Sequence, residues 1–147
     1  MLTYAIQKTG YDYAQLDSQG NTDFDGFIEA LERFPWSEQL ARWNEVQDGP
    51  LPAMVLSNEA DRRELWISAL GAGLADSFQL NVVAMREKKA LFGLGKPKLD
   101  REVTSFEVYA RADLDRLCRL FCNAQYADLD REVAKLAELD READDDR

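Results

Sequence analysis

Apolar positions along the chain change their spacing several times, and each change marks a boundary between extended and helical segments. Residues 2–7 alternate weakly and predict a short strand, followed by a connection rich in Gly, Asp and Asn over residues 9–21. Thr22, with Asp25 three residues on, gives a capping-box-like helix start. Phe24, Phe27, Ile28 and Leu31 then recur at i, i+3, i+4 and i+7, so one helix face is apolar. Pro35 ends that helix and can begin a second one. There Trp36, Leu40 and Trp43 share a side before Gly49 and Pro50 terminate it. The spacing next shortens to two. Residues 52–57, 64–70, 77–86 and 103–110 predict four strands joined without intervening helices, an antiparallel meander. Asp113 is the expected cap of a third helix with an apolar stripe of Leu114, Leu117, Cys118 and Phe121. A break over 123–128 precedes a final amphipathic helix carrying Leu129, Val133 and Leu136. The order strand, two helices, four strands, two helices predicts a single α+β domain over residues 1–141. Its mainly antiparallel sheet of about five strands carries helices on one face. Residues 142–147 form an acidic tail expected to fray.

Composition supports one ordinary domain: 147 residues with 46% hydrophobic residues are enough for one core. No apolar run reaches the length of a signal segment or a membrane span, so the expectation is a cytoplasmic protein without membrane contact. Cys118 and Cys122 are the only cysteines. Four residues apart, they share a helix face on which a disulfide does not readily close, and with no third soft ligand in view they read as reduced, packed thiols. The three tryptophans, Trp36, Trp43 and Trp66, fall at helical and strand spacings that suit core positions.

The chain holds no histidine. That removes Ser–His and Cys–His nucleophile pairs, most zinc sites and the commonest general base. No cofactor is expected and the chain reads as a non-enzyme, with a carboxylate-only hydrolase as the catalytic alternative. The formal charge is −10, from 28 acids against 18 bases. Such a surface repels nucleic acid and favours encounter with basic proteins.

Three local features could carry a function. Residues 21–32 resemble the calcium loop of the EF-hand family. Asn21, Asp23, Asp25 and the Phe27 carbonyl stand at ligand positions, Gly26 at the turn and Glu32 at the bidentate closing position. The resemblance implies a calcium-binding module. The sequence departs from the family in having Asn21 where Asp is usual, Phe24 where a small residue is usual, and no second loop. Residues 86–98 invert the local charge, with five bases, one acid and three bulky apolar residues, so the rest of the chain sums to −14. Lys88, Lys89, Phe92 and Lys96 in this connection are candidate partner contacts. Residues 1–50 hold nine acids and three bases, and Glu29, Glu32, Glu38, Glu45 and Asp48 lie on or near the first two helices.

Taken together, these features predict a non-catalytic acidic binding protein that sequesters or neutralises a basic protein. The profile looks like that of small bacterial toxin-immunity proteins: single-domain, acidic, α+β and without a catalytic constellation. The partner would dock on the first or second helix, with the 86–98 connection adding apolar contacts. A homo-oligomer built through the helices or that connection is compatible with this reading.

Overall fold

In the computed structural model, which describes residues 1–71, 73–88 and 98–145, every strand pairing is antiparallel. The strands are β1 (Leu2–Gln7), β2 (Asp17–Asn21), β3 (Ala53–Asn58), β4 (Arg63–Gly71), β5 (Gly73–Lys88) and β6 (Lys98–Val108). They form one sheet in the order β2-β1-β3-β4-β5-β6. Helices α1 (Phe24–Arg33) and α2 (Trp36–Val46) lie between β2 and β3 in the chain, and α3 (Arg111–Cys122) and α4 (Tyr126–Asp145) follow β6. This is the expected single α+β domain. Among the described residues, no helix is long and apolar enough to cross a membrane.

Register explains why one face of the sheet becomes the core. Ile6 pairs with Met54, Met54 with Ile67, Ile67 with Leu80, and Leu80 with Phe106. Because side chains alternate across a strand, this row and its neighbours at i±2 point to a single face. Phe27 and Leu31 of α1, Leu114, Leu117, Cys118 and Phe121 of α3, and Leu129 and Val133 of α4 are buried in the same cluster. Edge-on aromatic contacts join the layers and helices, with Tyr4 5.8 Å from Phe27 and Phe121 6.0 Å from Tyr126. A polar clasp closes one end of the covered face. Arg63 donates to both oxygens of Asp130 on α4, at 2.7 and 3.1 Å, and Arg86 joins Asp130 at 3.3 Å and Glu102 at 2.6 Å.

Several local expectations need correction. The sheet has six strands, because residues 17–21 of the expected connection form β2. All five of its residues are exposed and none is apolar, so no hydrophobic period announces it. Backbone pairing with β1 holds it in place, and a bulge there leaves Gln19 without an opposite residue beside Gly20 at φ 89°. Short, polar and bulged, β2 suits an edge position. The first helix is capped by Asp23, whose carboxylate accepts from the Gly26 amide at 2.8 Å, rather than by Thr22. Gln47, in the left-handed region at φ 52°, ends α2 ahead of Gly49. Helix α3 starts earlier than expected, with Ala110 at the cap and Asp113 inside the first turn. Helix α4 runs to Asp145, four residues into the segment expected to fray.

Candidate functional site

The acids singled out in the first two helices do not have equal standing. Glu29 sits on α1 with Arg33 one turn on, 3.7 Å away, and both side chains are open to solvent. Glu32, on the same helix, accepts from Arg111 at 3.0 Å, while Arg111 also holds Asp115 at 2.7 Å. Glu32 is thus partly neutralised by a base that ties α1 to α3. Glu38 and Glu45 are different. They lie in the first and last turns of α2, both exposed, and neither has an ion pair among the described residues.

The chain around α2 gathers further unpaired acids. Thr9 anchors the 8–16 connection onto α2, with its amide donating to Gln39 Oε1 and its hydroxyl to the Gln39 carbonyl, both at 2.8 Å. Gln7 Nε2 donates to the carbonyls of Asp12, Tyr13 and Gln15 at 3.0 to 3.3 Å, which shapes the same connection. Trp43 Nε1 donates to the Gly49 carbonyl at 3.2 Å. A methyl group at Gly49 would meet the Tyr11 carbonyl at 3.5 Å, so the 47–50 turn lies beside the 8–16 connection. Asp12 and Asp48, each one residue from that contact, therefore reach the same end of the molecule as Glu45. Both are exposed, and neither has an ion pair among the described residues.

This placement runs against local helix electrostatics. A helix C-terminus carries partial negative charge and favours bases, yet the last turn of α2 contains Glu45, no base, and Asp48 just beyond it. Asp48 was among the acids noted near the first two helices, whereas Asp12 was not singled out from the sequence. Only the fold of the 8–16 connection onto α2 makes Asp12 a neighbour of Glu45.

Residues 21–32 do not form a calcium loop. Asn21 pairs with Thr3 in the sheet, Asp23 caps α1, and residues from Phe24 onward are helical. Glu32 is thereby carried about 13 Å along the helix axis from Asp23, at 1.5 Å per residue. Phe27 lies fully buried in the core. Among the described residues, no group of three or more acids or cysteines is placed to hold a metal. The twelve-residue spacing matched the family because a capped helix start and a calcium loop both favour early acids.

The remaining candidates resolve as follows. Cys118 is buried and Cys122 half-buried, both free. Burial pushes the Cys122 thiol up to about 11 and the Cys118 thiol still higher, which leaves both poor nucleophiles. The Asp130 carboxyl is held below the usual carboxylate range by the Arg63 guanidinium, the opposite of what a general acid needs. Lys88 closes β5 opposite Lys98, whereas Lys89, Phe92 and Lys96 lie outside the described residues. Trp36 is buried as expected, but Trp66 sits on the sheet face away from the helices, where its indole donates to Glu64 at 2.8 Å. Compared with known proteins, the chain matches no family model, no curated protein and no solved structure.

Proposed function

We propose that this protein is a non-catalytic binding protein that sequesters a basic protein partner, the task performed by toxin-immunity proteins. The observation that carries this reading is the end of the molecule around α2. There Asp12, Glu45 and Asp48 gather at the C-terminal end of α2 while Glu38 stands in its first turn, all exposed and without an ion pair among the described residues, whereas Glu32 is tied to Arg111. With Arg42 as the one base on α2, the unpaired carboxylates leave a net negative field for an incoming cationic surface, which raises association rates and sets salt dependence. Helix α2 holds them in position: Gln39 and Trp43 pin its two neighbouring connections, so little ordering remains to oppose binding.

The test is capture from native-host lysate on immobilised protein at low and moderate salt, run beside the variant Glu38→Gln/Glu45→Gln/Asp48→Asn. The expected result is a basic companion at near-stoichiometric amount that is released as salt rises and is depleted on the variant. A companion held equally by both proteins at every salt concentration, or none with the wild type, overturns the proposal.

A further inference from the structure

The sheet face turned away from the helices is not a plain solvated surface. Between it, the 8–16 connection and the Pro50–Leu51 segment lies a cavity of about 420 Å³. That volume falls within the range of small-molecule sites. Its floor is β4 and β5, where Ser68 stands directly opposite Gln79 and Trp66 opposite Asn81.

The polar groups of this floor have hydrogen-bonding capacity to spare. Ser68 is 9% exposed, and its hydroxyl has no hydrogen-bond partner among the described residues. The Gln79 amide is likewise unpartnered there. Asn81 Oδ1 accepts from the Ser105 hydroxyl at 2.5 Å, which leaves its NH₂ group to donate elsewhere. Gln79 and Asn81 are half-buried, and solvent reaches these groups, so each is free to exchange water for a ligand atom. Here several face one cavity together. Trp66 adds an aromatic wall whose orientation is set by its bond to Glu64.

Charge decides the class of ligand. Among the described residues Arg101 is the single charged side chain lining the cavity; it is exposed and has no ion pair there. A guanidinium presents a planar fork that matches a carboxylate or a phosphate. We infer that the cavity binds a small planar organic anion. Its ring would lie against Trp66, its edge would hydrogen-bond to Ser68, Gln79 and Asn81, and its carboxylate or phosphate would meet Arg101. This inference is independent of the basic-partner reading, which rests on other residues.

The experiment is titration of ¹⁵N-labelled protein, followed by backbone and side-chain amide resonances. Indole-3-acetate and uridine monophosphate are the carboxylate and phosphate probes; tryptamine and uridine are their non-anionic counterparts. Saturable shifts at Ser68, Gln79 and Asn81 with an anionic probe, absent with its counterpart, are expected, and whichever anion saturates identifies the acid group. Arg101→Gln, an exposed substitution whose folding is checked by thermal melting, should weaken binding roughly tenfold or more. Ser68→Ala supplies a second variant with a smaller loss. Equal shifts with tryptamine, undiminished binding by folded Arg101→Gln, or no saturable shift with either anion overturns the inference.

Discussion

The two faces of this sheet are made from alternate residues of the same strands, yet they differ in kind. On the helix side Met54, Leu56, Leu65, Ile67, Phe78 and Leu80 are wholly inaccessible and contribute no polar side-chain atom apart from the Met54 thioether. On the other side the buried Val55 and Val83 stand beside Trp66, Ser68, Gln79 and Asn81, with amides and a hydroxyl that lack full complements of partners. The difference teaches how a small domain divides its work. A period of two lets one face carry the fold while the other stays free to carry chemistry, because a change on one side leaves the opposite side chains in place.

The sharpest way to break that comparison is to mutate adjacent residues. Leu80→Ala should cost about 2–5 kcal/mol, since it opens a cavity in the covered face. Ser105→Ala, on the open face, should stay within about 0.5 kcal/mol. Urea unfolding of the two variants checks this, and equal losses would mean that the faces are not distinct.

Next in size is the clasp at the end of the covered face. Asp130→Asn leaves the Arg63 guanidinium, whose side chain is 11% exposed, without its charged partner. The expected loss is about 1–3 kcal/mol, toward the lower end because solvent reaches the carboxylate and screens the pair. Asp130 titrates below its ordinary value in the folded state, so its contribution is present above about pH 4 and fades as pH falls through the lower folded value. The stability difference between wild type and variant should therefore be constant near neutrality and shrink in acid.

A smaller effect on stability is expected at the acidic end. Glu45→Gln/Asp48→Asn removes negative charge from the C-terminus of α2 and should raise stability by about 0.3–1 kcal/mol at low salt, a gain lost at high salt. Thermal melting at two ionic strengths measures it. The least disturbance is expected at the thiols. With the Cys122 thiol pushed up to about 11 and Cys118 higher, an aromatic disulfide reagent at pH 8 should react slowly with the native protein and fast after unfolding.

The covered face was legible in the sequence because burial leaves a periodic trace. Phe27 and Leu31, Leu114 and Phe121, and Phe78 and Leu80 all fall on readable spacings and all reach the core. Strand β2 left no such trace: Asp17–Asn21 is exposed throughout, and pairing by backbone alone leaves the side chains unconstrained. The caps shifted by one to three residues for a related reason. Thr22, Asp23 and Asp25 can each accept from a free amide, and only the backbone geometry selects Asp23. Glu38, Glu45 and Asp48 were found by their charge, whereas Asp12 joined them only because the 8–16 connection runs beside the 47–50 turn. The open-face cavity was hidden because Ser68, Gln79 and Asn81 look like ordinary solvated strand residues until register sets them side by side.

The central claim is that recognition belongs to the acidic end around α2, while α3 and α4 serve the fold. Amide hydrogen exchange of the protein, free and loaded with the basic companion it captures, tests this most directly. New protection is expected in residues 8–16, α2 and residues 47–52, with α3 and α4 unchanged. Protection gained on α3 and α4 while the α2 end exchanges as before would contradict it.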